Sequence, residues 1–248
     1  MNMRSFIRIL SAERLKLSRS FIWLLVGISP LVALPVGALA DIRQDGEPVS
    51  WQVLLNVMSM MHALLFLPVL TGLFAALICR AEHSDGGWKM LLSLPVTRTA
   101  VYVAKFTIIM ALLACVQLVF FIALLSIGLY RGAEGAVPWP LLISSLLGGW
   151  FACLPLAALQ LGVSQGWSSF GAPLALNVSL TLPNILVVNS ATYGPYYPWA
   201  QPLLAMSPFG GESFGAFVLP AQTLMLVVSV SLIVFLGGGL LYFQRKAV

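Results

Sequence analysis

Six long runs of apolar residues constrain the fold of this chain more than any other feature. Each has about the 20 residues that an α-helix needs to cross the hydrocarbon core of a bilayer. Only 8% of the 248 residues are charged, against about 25% in soluble domains. The sequence therefore predicts an all-α integral membrane protein, and it excludes a secreted disulfide scaffold or an acidic disordered chain. The predicted spans are residues 21–40, 53–79, 102–130, 139–163, 170–190 and 221–243.

The basic residues are distributed unevenly between the loops. All but two of the 13 Lys and Arg residues lie before the first span, around the loop after the second, or after the last. A chain with six spans places these three regions on one side, and Lys and Arg concentrate on the cytoplasmic side. Both termini are therefore predicted to be cytoplasmic, with residues 41–52, 131–138 and 191–219 facing outward.

The first 20 residues are basic and amphipathic. On a helical wheel Phe6, Leu10 and Leu17 share one face, together with Ile7, while the basic residues cluster on another. This pattern is typical of a helix that lies in the membrane interface. We therefore predict an interfacial helix over 1–20 and a six-helix transmembrane domain over 21–248.

Several kinds of chemistry are missing from the sequence. No Asp, Glu, Lys or Arg is predicted at mid-membrane depth, which argues against a proton-coupled carrier. His62 and His83 lack the spacing of a metal site, the three cysteines form no C-x-x-C, and no P-loop motif occurs. We predict no metal or cofactor in this chain, an interhelical hydrogen bond for His62, and a solvated loop position for His83.

The spans do contain uncharged polar residues. Such groups either bond neighbouring helices together or line a cavity for substrate, and the sequence leaves both interpretations open. The residues concerned are Asn56, Gln117, Gln160, Asn177 and Asn184.

The loop over 80–101 carries the most specific motif. From Glu82 to Arg98 it reads E-H-S-D-G-G-W-K-M-L-L-S-L-P-V-T-R. Gly and Pro residues bound a short apolar turn, and Thr97 is placed to cap the next helix. Together with Glu13, Lys16, Arg19 and Ser20, which approximate E-x-x-K-x-x-R-S, this arrangement resembles the permease subunits of type-2 ABC exporters. Within that family the chain resembles the small six-span permeases of lantibiotic immunity and bacitracin resistance.

The resemblance implies partners and a location. The partners are two ATPase subunits that carry ATP and Mg, a second permease (identical or a paralogue), and membrane lipid but no nucleic acid. The location is the bacterial inner (cytoplasmic) membrane, with several spans. The 80–101 loop is then the coupling helix that sits in the ATPase, although the alternative, an amphipathic loop lying on lipid, fits its composition too. The residues assigned to this coupling loop are Glu82, Gly86, Gly87, Trp88, Lys89, Leu91, Leu92, Pro95 and Arg98.

The segment over 191–219 contains too many prolines to span and too many apolar residues to be a free loop. The resemblance implies short re-entrant helices on the outer side. Its aromatic residues would line an exit gate or form an interfacial belt; they are Tyr193, Tyr196, Tyr197 and Trp199.

The function implied is transport by a subunit that is not itself an enzyme. The expected cargo is a lantibiotic-like antimicrobial peptide or another amphipathic molecule removed from the membrane. A different cargo (a lipid, an ion or a cofactor-related species) is the first alternative. A membrane-embedded enzyme or scaffold is the second.

Overall fold

The computed structural model describes residues 3–18, 21–40, 49–83, 87–93, 96–207, 217 and 220–246. Most of these residues belong to ten α-helices. Within these residues the only β-pairing is an isolated bridge between Ser50 and Glu134. The helices are α1 (Met3–Ser18), α2 (Ile22–Leu39), α3 (Trp51–His83), α4 (Gly87–Leu92), α5 (Arg98–Tyr130), α6 (Trp139–Gly166), α7 (Gly171–Thr181), α8 (Asn184–Val187), α9 (Gln201–Met206) and α10 (Ala221–Arg245).

Five helices are long and apolar enough to cross a membrane, namely α2, α3, α5, α6 and α10. They coincide with five of the six predicted spans. Both α3 and α5 have 33 residues and are about 50 Å long at 1.5 Å per residue. Since a bilayer core is about 30 Å thick, these two helices tilt or extend beyond it.

The remaining predicted span, 170–190, is not a continuous helix, so the prediction of six helical spans is not confirmed. Its helical part stops at Thr181, and only the short α8 follows. Pro183 explains the break, because proline has no N–H to donate and its ring clashes with the preceding turn. The broken segment still packs along α3: the Asn184 side-chain amide donates to the carbonyl of Leu64 at 2.9 Å.

The hydrogen bond from Asn184 to Leu64 satisfies a backbone carbonyl at an irregular turn of α3. Residues His62–Phe66 form a π-helical turn, and Pro68, two residues after this turn, has no N–H to donate to the carbonyl of Leu64. Asn184 supplies the missing donor, which is how neighbouring helices make proline tolerable inside a membrane. One turn further along, Asn177 donates to the Pro68 carbonyl at 3.0 Å. Only a glycine at position 72 allows this approach, since a Cβ there would lie 2.3 Å from the Asn177 amide nitrogen.

The centre of the bundle is α6, which packs against α10, α3, α9 and α5. Its buried face is made largely of small residues, among them Ala152, Cys153, Ala157 and Ala158. Small side chains let helix backbones approach closely, which is the usual basis of packing in membranes.

Contacts between helix ends define two ends of the bundle. We call one of them the charged end; it holds His83, Arg98, Gly166 and Lys246. There the Arg98 guanidinium donates to the carbonyls of Phe243, Gln244 and Lys246. At the opposite end Arg131 donates in the same way to carbonyls of Gly37, Ala38 and Ala40. Each arginine thus satisfies carbonyls at a helix C-terminus, where a cation is also favoured by the helix dipole.

The N-terminal helix packs against the bundle. It docks on α5, with Ile9 and Glu13 buried and Phe6, Leu10 and Leu17 partly buried against the core. Ile7, which shares the predicted apolar face, is 55% exposed. Glu13 lies on the docked side, where Lys105 of α5 pairs with it; the interfacial position of α1 stays a prediction.

Candidate functional site

Four charged side chains meet inside the charged end of the bundle. Lys105 of α5 is fully buried, and its Nζ lies 3.2 Å from both carboxylate oxygens of Glu13 and 2.9 Å from Oε1 of Glu82. The same Nζ donates to the carbonyl of Ile78 at 3.1 Å. Lys16 completes the group at 3.0 Å from Glu13 and 2.7 Å from Glu82. We call Glu13, Lys16, Glu82 and Lys105 the ion-pair cluster.

The cluster is electrically balanced, with two carboxylates and two ammonium groups. Burial of Lys16 tends to lower its pKa, but the hydrogen bond to Glu82 and the charges of Glu13 and Glu82 outweigh burial and raise the pKa above its ordinary value. Lys16 therefore stays protonated across the physiological range. Buried charges are tolerated only when paired and hydrogen-bonded, and here the pairing joins α1, α3 and α5.

Lys105 lies beside the residues of the 80–101 loop, as the sequence predicted, but its burial was not predicted. It is the eighth residue of a long apolar helix and is wholly buried. The charge is offset because Glu13 and Glu82 reach it from two other segments. Within the ion-pair cluster, Oε2 of Glu82 is buried without a hydrogen-bond partner among the described residues.

The short helix α4 covers the cluster through Trp88. The Lys105 ammonium lies 5.8 Å from the centre of the Trp88 ring, and Phe243 of α10 packs on the same ring at 5.2 Å. The Trp88 side chain was expected to be exposed for a partner, but the residue is only 7% exposed. Burial follows from these two aromatic and cationic contacts.

His83 fixes the indole of Trp88. Trp88 Nε1 donates to His83 Nδ1 at 3.2 Å, and His83 Nε2 donates to the Ser164 carbonyl at 2.8 Å. The prediction of a solvated loop position for His83 is therefore wrong: the residue ends α3 and bridges α4 to α6. The backbone of α4 also lies very close to α3, because a Cβ at Gly87 would lie 2.8 Å from the carbonyl oxygen of Ala81.

The other residues of the predicted coupling loop fall into three groups. Arg98 caps α10 rather than pointing outward. Met90, an apolar side chain of α4, is 77% exposed. Gly86 and Pro95 lie outside the described residues, as do the side chains of Lys89, Leu91 and Leu92.

His62 lies in the bundle interior as an interhelical hydrogen-bonding group, and this prediction is confirmed. The Ser29 hydroxyl lies 2.6 Å from Nδ1, Gln117 Oε1 lies 3.0 Å from Nε2, and Phe120 stacks on the ring at 3.9 Å. Because Gln117 Oε1 is an acceptor, Nε2 carries the proton and Ser29 donates to Nδ1. The three contacts link α2, α3 and α5 at the π-helical turn.

The predicted cavity residues do not converge on one site. Gln117 lines an apolar cavity of about 350 Å³ between α5 and α6, with Phe121 and Trp150. Asn177 and Asn184 are buried and bond neighbouring segments together, Asn56 is exposed, and Gln160 is buried with no partner for its amide among the described residues.

The four predicted gate residues do not share one environment either. Tyr193 and Tyr196 are 72% and 70% exposed, whereas Trp199 is buried and donates to Asn177 Oδ1 at 2.9 Å. The Tyr197 hydroxyl donates to the Leu180 carbonyl. Trp199 and Tyr197 therefore hold the 191–207 region onto α7.

The chain matches a known protein family. A family model described as ABC-2 family transporter protein matches residues 9–184. The matched range includes all four residues of the ion-pair cluster and all of α4. No curated protein matches the chain.

Proposed function

Since this chain belongs to the ABC-2 family of transporter proteins, we propose that its charged end is where a separate ATPase drives the movement of the membrane helices. Membership makes the chain a permease subunit of an ABC transporter, a transport subunit with several membrane helices. Such permeases generally work with an ATPase partner. We further propose two ATPase subunits that bind ATP and Mg, and a second permease, identical or a paralogue.

The observation that carries this proposal is the position of the ion-pair cluster directly beneath α4. A partner bound to the exposed Met90 side of α4 would displace Trp88, which contacts both Lys105 and Phe243. Lys105 is in turn held to α1 and α3 through Glu13 and Glu82. Movement of α4 would therefore be passed to four helices at once, because packed cores and paired charges resist deformation.

We propose that the cargo is a lantibiotic-like peptide or another amphipathic molecule. Support comes from the resemblance of the 82–98 motif and from the cavity beside Gln117, which is lined by apolar residues and one amide. Among the described residues, no charged side chain lines this cavity, and a hydrated ion would need polar or charged ligands to replace its water. A lipid is the second candidate cargo, because the same lining would accept acyl chains.

Resistance in living cells tests the energy source and the cargo together. Cells that express the permease with its ATPase should tolerate a lantibiotic better than cells with empty vector, measured as the minimal inhibitory concentration. Substitution of the Walker lysine of the ATPase should remove the gain. Resistance that survives in this ATPase variant would contradict an ATP-driven permease. Unchanged sensitivity to every peptide tested, with intact ATPase binding, would contradict the peptide cargo alone.

We propose that the charged end is cytoplasmic, in the inner membrane of a bacterium, because Lys and Arg concentrate there. Ser93 and Ala136 are both exposed, near the charged and the opposite end respectively. In a background lacking the three native cysteines, Ala136→Cys should react with an impermeant maleimide added to intact cells. Ser93→Cys should react only after the cells are opened. Labelling of Ser93→Cys from outside would reverse the orientation.

A further inference from the structure

A small polar cavity lies at the charged end, between α3, α6 and the start of α7. Its volume is about 170 Å³, and the polar and aromatic residues that line it are Arg80, His83, Ser164, Ser168, Ser169 and Phe170. Trp88 is not among its lining residues in the described part of the chain, and the proposed coupling mechanism makes no use of it. Among the described residues that line it, none carries a carboxylate.

The cavity has the features of an anion site. Arg80 contributes a guanidinium, whose carbon lies 5.4 Å from the centre of the Phe170 ring. The N-terminus of α7 begins at Gly171, and Phe170 provides no side-chain cap for its first N–H groups. A helix N-terminus carries a partial positive charge and donors that bind phosphate or carboxylate groups.

An independent observation points to a missing ligand. Ser164 is 2% exposed and lines the cavity, and its hydroxyl is buried with no hydrogen-bond partner among the described residues. The Ser164 carbonyl is already bonded to His83. A buried hydroxyl without a partner costs free energy, so a ligand oxygen in the cavity would satisfy it.

The location of the cavity identifies the source of the anion. It lies where α3 ends and α7 begins, next to Trp167, which is 45% exposed. Tryptophan is enriched at the level of the lipid headgroups, and basic pockets between transmembrane helices bind anionic headgroups. We propose that this cavity binds the phosphodiester of an anionic phospholipid, with Arg80, Ser164 and the first N–H groups of α7 as its ligands.

Thermal unfolding of the purified full-length permease in a phosphate-free maltoside detergent tests the proposal without ATPase or cargo. Phosphatidylglycerol at about 100 times its Kd should raise the Tm by roughly 5–10 °C. Diacylglycerol with the same acyl chains should not raise it, because it lacks the phosphoryl group. An equal shift from diacylglycerol would overturn the proposal. A full shift from inorganic phosphate, with nothing further from the lipid, would overturn the lipid as the source.

Two variants test the ligands. Arg80→Gln should abolish most of the lipid-dependent shift. Ser164→Ala should reduce it by about half, while leaving the Tm without lipid unchanged or higher, because it removes an unpaired buried hydroxyl. Arg14→Gln is the matched control, since it removes one positive charge from the exposed side of α1 and should retain the full shift. Full shifts in both Arg80→Gln and Ser164→Ala would contradict the assignment.

Discussion

Replacing Lys105 by Met should destabilise the permease by about 3–5 kcal/mol, because the substitution leaves Glu13 and Glu82 buried together with only Lys16 to offset them. Methionine is chosen because its flexible, unbranched side chain fills the space of the lysine stem. The loss corresponds to a decrease in Tm on the order of 10 °C. Heating the detergent-solubilised protein and quantifying the folded fraction by size exclusion would measure it.

Two further variants separate the loss of charge balance from the loss of packing. Arg14→Met removes an exposed positive charge from α1 and should change the stability by less than about 0.5 kcal/mol. Adding Glu82→Gln to Lys105→Met should recover most of the lost stability, because Glu13 and Lys16 then remain as a neutral ion pair with no carboxylate left in excess. If Lys105→Met were as stable as the wild type, the cluster would not hold α1, α3 and α5 together.

Replacing Trp88 by Ala should both destabilise the permease and uncouple it from its ATPase. Truncation of a buried tryptophan costs about 3–5 kcal/mol, and here it removes contacts with Lys105, Phe243 and His83. A six-residue helix cannot persist without packing, so α4 should detach from the bundle. We expect ATP hydrolysis by the assembled complex to continue while transport falls sharply, measured side by side in proteoliposomes.

Met90 provides the matched control on the same helix. Because it is 77% exposed, Met90→Ala should leave the Tm within about 1 °C of wild type. It should instead weaken ATPase association, measured by co-purification. Wild-type assembly and wild-type transport in Trp88→Ala would show that α4 does not transmit movement. An effect of Met90→Ala on stability without any effect on association would show that the exposed side of α4 is not the docking surface.

Local hydropathy was sufficient to predict the five long helices, since a run of apolar residues specifies a membrane helix without reference to the rest of the chain. The same reasoning did not predict the break within 170–190, where the composition is apolar but the helix is interrupted at Pro183. His62 was predicted correctly for a related reason: an isolated polar group among apolar neighbours must find a partner on another helix.

The ion-pair cluster could not be predicted in the same way. Its members are up to 92 positions apart in sequence, and only the folded bundle brings them together. One local signal was present: Glu13 lies on the same side of α1 as Leu10 and Leu17, where a carboxylate requires a buried cation. The burial of Trp88 could not be predicted, because an apolar residue on a short helix does not indicate whether it faces its own protein or a partner.

The ion-pair cluster also has a consequence for how the chain is made. Ribosomes deliver the N-terminal residues first, so Glu13 and Glu82 have both been synthesised before Lys105 emerges. Lys105 is the eighth residue of α5, so its ammonium enters the bundle at the charged end, where α1 and α3 supply both carboxylates. We therefore expect α5 to take its final position only after α1 and α3 are in place.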